Sequence, residues 1–176
     1  AVLGIDIDEI NNLLKGNENN YKCYIANDNS NGQTVLSGLN TDVDKLAVSL
    51  KEKKIKNIKL PVSAPFHCKL MNKATSIMTD KINNTNFLKP KNVIISNVTG
   101  TETQETEEIK DLLIKQIESP VRWRESVIYM IKNGVTNFIE IGPGKVLSGL
   151  VKRIDKTVKV NSINKLEDLK DLEVND

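Results

Sequence analysis

Through residues 1–60 the spacing of apolar positions switches between helix-like and strand-like. "AVLG" is a short apolar run that reads as a strand, and Ile10, Leu13 and Leu14 then fall on one face of a helix over 8–14. "YKCYIAN" is dense in aromatic and β-branched residues and reads as a strand. "NDNSNG" follows as a turn, since Asn, Asp, Ser and Gly tolerate turn angles, and "QTVLSGL" returns as the second strand of a hairpin. "NTDVDKLAVSLKEKK" predicts a helix capped by Asn40 or Thr41, with Val43, Leu46, Ala47 and Leu50 as its apolar stripe. "IKNIKLPVS" closes the region as a strand, and the order βαββαβ is the ferredoxin-like one.

From residue 61 the pattern alternates differently. Residues 67–82 predict a helix with Leu70, Ala74, Ile77 and Met78 on one face, and "NVIISNV" reads as a strand covered on both faces. Helices over 107–117 and 122–132 are separated by Ser119-Pro120, where the proline breaks the pattern. "NFIEIG" is a strand, "KVLSGLVKRI" a helix, "VKVNSI" a strand and "KLEDLKDL" a closing helix. Strands alternating with helices predict a parallel α/β layer. Three such strands make a thin sheet, so this half needs a partner. The expected class is α/β, divided into 1–60 and 61–176.

Composition narrows the function classes more than the fold. Of 176 residues, 39% are hydrophobic and 27% charged, the balance of a soluble globular chain. Its 25 basic and 23 acidic residues give a net charge of +2, too even for a nucleic-acid face. No apolar run is long enough for a bilayer span, and "AVLGIDIDEI" has no signal-peptide pattern. Cys23 and Cys68 are too few for a disulfide framework, which favours a reducing compartment.

Chemistry concentrates in "LPVSAPFHCKLM", which holds His67, the single histidine, beside Cys68. One histidine with no CxxC or HExxH pattern does not make a zinc site. Neighbouring side chains on a helix point about 100° apart, which argues against a Cys68–His67 pair. Lone histidines are more often structural than catalytic. Against that, His67 sits where an extended, proline-punctuated segment enters a helix, a place where functional side chains gather. Both readings stay open on the residues alone. Gly142-Pro143-Gly144 reads as a rigid turn, because the phosphate-loop spacing GxxxxGK[ST] is absent. "IKQIESPVRW", with Gln116 and the single tryptophan Trp123, is either a packing junction or part of a site.

Taken together and in order, "NDNSNGQTVLSG", "PVSAPFHCKLM", "QIESPVRW" and "EIGPGKVLSGLVKRI" resemble the malonyl-CoA:acyl carrier protein transacylase family, from Ala1 to about Leu172. More distantly they resemble the acyltransferase domains of polyketide and fatty-acid synthases. The resemblance implies an α/β-hydrolase-like core with an inserted ferredoxin-like subdomain. It implies a Ser–His dyad that moves malonyl from CoA to the pantetheine thiol of acyl carrier protein. His67 falls on the family's general base; an imidazole, with an ordinary pKa of about 6.5, suits proton transfer near neutrality. Gln116 falls on the residue whose backbone carbonyl orients the ring. Phe66 falls where malonyl-selective members carry a bulky residue, and Asn27 and Asn29 fall on cleft positions. Malonyl-CoA and acyl carrier protein are the implied partners, with neither nucleic acid nor membrane. No cofactor or metal is expected beyond the CoA thioester and the carrier's phosphopantetheine. The expected compartment is the bacterial cytoplasm or an organelle stroma.

The departure from the family is the nucleophile. No G-x-S-x-G occurs; Ser37 and Ser148 each precede a glycine but lack the glycine two positions before. Arg122, Arg124 and Arg153 match positions other than the family's carboxylate-binding arginine. The chain therefore reads as the carboxyl-terminal part of the enzyme, missing an amino-terminal segment and inactive alone. The alternative is a non-catalytic remnant that binds carrier protein or another partner.

Overall fold

A computed structural model describes residues 1–171, which form two compact units, one over Ala1–Ser126 and the other from Val127 onward. In the first unit, β1 (Val2–Leu3), α1 (Ile7–Lys15), β2 (Cys23–Ser30), β3 (Gln33–Gly38), α2 (Asn40–Glu52) and β4 (Lys56–Asn57) follow the expected βαββαβ order. The strands form a four-stranded antiparallel sheet in the order β2-β3-β1-β4. Its core is Val2, Ile10, Tyr21, Leu46 and Leu50, flanked by Leu13, Leu14, Ile25 and Leu36. Helix α1 begins where the Asp6 carboxylate accepts the Glu9 amide at 2.8 Å, a side-chain N-cap.

Several local expectations shift for physical reasons. The hairpin turn is only Asn31-Gly32, with Gly32 at φ +70°, and β2 runs on through Ser30. Ala26, Asp28 and Ser30 alternate inward and are almost fully buried, so strand pairing overrides the turn preference of "NDNS". Helix α2 starts at Asn40 with Leu39 in the cap position and no side-chain cap bond; neither Asn40 nor Thr41 caps it. The expected strand over 55–63 pairs only at Lys56–Asn57, with two further bonds, from the Ile58 amide to the Ala1 carbonyl and from the Ala1 amino group to the Ile58 carbonyl. Beyond it Pro61 has no amide to continue a ladder.

The helix expected over 67–82 begins later. A 3-10 turn spans Lys69–Met71 and α3 spans Asn72–Asn83; His67 precedes both, at φ +59°. Of the expected stripe, Leu70, Ile77 and Met78 are exposed, and Ile82 is the buried residue of α3. "NVIISNV" does not form a long strand. Only β5 (Ile94–Ile95) pairs, antiparallel to β6 (Glu102–Thr103), because the chain reverses at 96–101 through Gly100 N to Ser96 O and Ser96 N to Thr101 O. Helices α4 (Thr106–Lys115) and α5 (Trp123–Lys132) lie either side of Pro120.

In the second unit, β7 (Asn137–Ile141), α6 (Val146–Ile154) and β8 (Lys159–Ile163) make one βαβ unit with β7 and β8 parallel. Among the described residues the parallel strand pairing thus involves two strands, β7 and β8, and not the expected three. The closing helix is a 3-10 run, Leu166–Asp171; Leu172 lies outside the described residues. Among the described residues no helix is long and apolar enough to cross a membrane.

Candidate active site

His67 is held by what surrounds it. Its Nδ1 lies 3.1 Å from the backbone oxygen of Gln116. A carbonyl oxygen can only accept, so the ring carries its proton on Nδ1, and in the neutral ring Nε2 is left as the basic nitrogen. The carbonyl is available for a local reason. Gln116 caps the carboxyl end of α4, and the residue four positions on is Pro120, which has no N–H to close the next helical bond. The amides of Ile117, Glu118 and Ser119 bond back to Ile114 and Lys115 instead.

The left-handed backbone of His67 is unusual for a residue with a side chain. Bonds on both sides hold it. The Ser37 hydroxyl donates to the Phe66 carbonyl at 2.7 Å, and the Cys68 thiol donates to the Pro65 carbonyl at 3.2 Å. A cavity of about 590 Å³ opens beside this loop, and Asn27, Asn29, Phe66 and His67 all line it. Four of the five sequence candidates therefore share one cavity, and the fifth, Gln116, reaches it through the His67 ring. Alternation along β2 explains the asparagines: with Ala26, Asp28 and Ser30 buried, Asn27 and Asn29 point to the opposite face.

Beneath the asparagines, Asp28 and Arg124 form an ion pair across 96 residues of sequence. Arg124 Nε donates to both carboxylate oxygens at 3.1 and 2.9 Å, and Nη2 reaches Oδ2 at 2.8 Å. The Asp28 carboxylate is the main cause that raises the Arg124 guanidinium above its ordinary pKa. Two backbone bonds run alongside, from the Asp28 amide to the Val121 carbonyl and from the Val121 amide to the Ala26 carbonyl. The cavity-lining strand and the segment after Gln116 are thereby locked together. Sequence reading missed the roles of both Asp28 and Ser37; with Asp28 read as part of a turn, no local signal pointed to its burial in β2.

The cysteines are poor nucleophile candidates. Burial, then the charges of Asp42 and Cys68, push the Cys23 thiol up to about 11, and burial likewise raises Cys68. Trp123 is half-buried at the start of α5, with its indole nitrogen unpartnered among the described residues.

In the second unit, the Gly142-Pro143-Gly144 turn has its nearby amides occupied from within. Glu140 accepts from the Leu147 and Ser148 amides at 3.2 and 2.7 Å, and Asn164 accepts from the Gly144 amide at 2.6 Å. Gly142 and Gly144 adopt φ +135° and +94°, so the turn requires glycine at both positions. A side-chain carboxylate thus stands where a phosphate loop would receive its anion.

No family model matches the chain. A curated malonyl CoA-acyl carrier protein transacylase of Staphylococcus aureus is 39% identical over 178 residues, covering 100% of this chain and 58% of that protein. The solved malonyl CoA-acyl carrier protein transacylase of Clostridium perfringens has a TM-score of 0.92 at 37% identity, covering 97% of this chain and 54% of that one. Over its whole length the chain is similar to the malonyl CoA-acyl carrier protein transacylases. It spans little more than half the length of these transacylases. A third relative, a malonyl-transacylase solved in complex with its type II PKS acyl-carrier protein, has a TM-score of 0.90 at 32% identity, over 96% of this chain and 55% of that one.

Proposed function

We propose that this chain carries the base half of a malonyl transacylase centre. In this reading a serine, supplied from outside these 176 residues, attacks the thioester carbonyl of malonyl-CoA while His67 Nε2 takes its proton. The tetrahedral adduct collapses to a malonyl-serine ester and expels the CoA thiolate, which receives that proton. The pantetheine thiol of acyl carrier protein then gives its proton to His67 and attacks the ester, and the serine is reprotonated as malonyl leaves on the carrier. The Gln116 carbonyl keeps the ring in the one tautomer that leaves Nε2 basic, the job a carboxylate does in a triad. A carbonyl stabilises imidazolium less than a carboxylate would, and an activated thioester tolerates that.

Phe66 would crowd an α-methyl group on the acyl chain, a discrimination of about 1–3 kcal/mol per methyl-sized group. Asn27 and Asn29 would meet the substrate from β2. The product, malonyl carrier protein, feeds fatty-acid synthesis in a bacterial cytoplasm or organelle stroma, with no cofactor beyond the carrier's own phosphopantetheine. The domain division at 60/61, into a ferredoxin-like insert and an α/β-hydrolase-like part, belongs to the same proposal.

The observation that carries this reading is the 3.1 Å contact between His67 Nδ1 and the Gln116 carbonyl at the edge of the cavity. The test uses the longer protein with a G-x-S-x-G segment upstream. Labelled malonyl-CoA should leave an ester on that serine, and His67→Ala should cut turnover by about 10²–10⁴-fold. A thioester on Cys68, or turnover indifferent to His67, overturns the proposal. The 176-residue chain alone should transfer no malonyl. Carrier-protein binding without transfer by the longer protein would favour a binding module instead.

A further inference from the structure

The role given to Gln116 uses only its backbone carbonyl, which every residue has, so its side chain needs a separate account. That side chain is engaged: Asn97 Nδ2 donates to Gln116 Oε1 at 3.2 Å, in a half-buried setting. The Asn97 backbone carbonyl in turn accepts the Arg122 amide at 3.1 Å. One residue therefore grips both ends of the 116–122 segment, whose first carbonyl holds His67. Asn97 is itself fixed in the tight reversal at 96–101. The Ser96 hydroxyl accepts the Val98 amide at 3.1 Å, and the Gly100 amide bonds the Ser96 carbonyl at 2.8 Å. A Cβ on Gly100 would stand 3.3 Å from the Glu125 side chain, so this reversal also packs closely on the start of α5.

We infer that Asn97 is a positioning residue for the His67 tautomer, acting through the Gln116 side chain as a tether. The inference rests on the transacylase reading only for its functional meaning; the tautomer is measurable without turnover. With the tether cut, the residues after α4 gain freedom, the Gln116 carbonyl drifts from Nδ1, and the neutral ring samples the Nε2–H form. A lost hydrogen bond of ordinary strength corresponds to about a 2- to 12-fold change in tautomer ratio.

His67 is the single histidine of the sequence, so ¹⁵N-histidine labelling gives one unambiguous ring. Multiple-bond ¹H–¹⁵N correlation at alkaline pH reads its tautomer in the 176-residue chain. The wild type should show the Nδ1–H form. Asn97→Leu and Gln116→Met should each move the ratio toward Nε2–H by about 2- to 12-fold, and the double variant no further than either single. Gln116→Glu keeps an oxygen for the Asn97 amide and should stay near wild type. An unchanged tautomer in both single variants, or a double variant showing the product of two independent effects, overturns the tether. If Asn97→Leu does not fold, Gln116→Met against Gln116→Glu decides alone, and equal ratios in that pair overturn it. Loss of the serine ester with the tautomer pattern intact would end the transacylase reading and leave the tether standing.

Discussion

The Asp28–Arg124 pair makes a prediction whose asymmetry can be worked from exposure. The Asp28 side chain is 3% exposed and that of Arg124 23%. Arg124→Met removes all three nitrogen contacts and leaves a carboxylate in the interior without a counter-charge, a loss of about 3–5 kcal/mol for a broken buried pair. Asp28→Asn keeps the shape and strands the guanidinium instead, but its nearer approach to solvent lets water replace part of what is lost. About 1–3 kcal/mol is the expected cost. The double variant removes the stranded charge and should be more stable than Arg124→Met alone. Urea titration followed by the fluorescence of Trp123, the residue next to Arg124 and the single tryptophan, is the assay. Equal losses in the two single variants, or a larger loss from Asp28→Asn, would refute the claim that burial of the carboxylate dominates. A double variant no better than Arg124→Met would refute the pairing itself.

Two further outcomes follow from local geometry. At φ +59° residue 67 favours glycine, so His67→Gly should be more stable than His67→Ala by about 0.5–1 kcal/mol in urea, and the reverse order would show that the left-handed conformation is not retained. The Glu140 carboxyl is held below its ordinary 4.5, first by the Ser148 hydroxyl and then by the Ser148 and Leu147 amides. A carboxyl depressed in the folded state stabilises above its unfolded pKa, and that contribution fades as pH falls from about 4.5 through the folded value. Glu140→Gln should therefore lower the urea midpoint at neutral pH, with the gap to wild type closing in acid; a gap constant down to pH of about 3 would refute the cap.

The chain's own residues dictated the βαββαβ order, because α1 and α2 each carry an apolar stripe and a turn-forming run separates two β-rich segments. They also drew notice to His67 by its uniqueness and to Gln116 by its place before a proline, but left the role of each open until the family resemblance supplied one. Pro120 was legible as a break between two helices, but that it leaves the Gln116 carbonyl without a helical amide became clear only from the fold. Tertiary structure decided the rest. "NDNS" reads as a turn until Arg124, 96 residues away, gives Asp28 a reason to be buried in a strand. "NVIISNV" reads as a covered strand until hydrogen bonds across 96–101 fold it back on itself. The left-handed His67, the Ser37 clamp and the Asn97 tether depend on partners from 19 to 49 residues distant. Local propensity is a property of neighbours in sequence, whereas the position of the His67 ring is set by bonds from elements that only folding brings together.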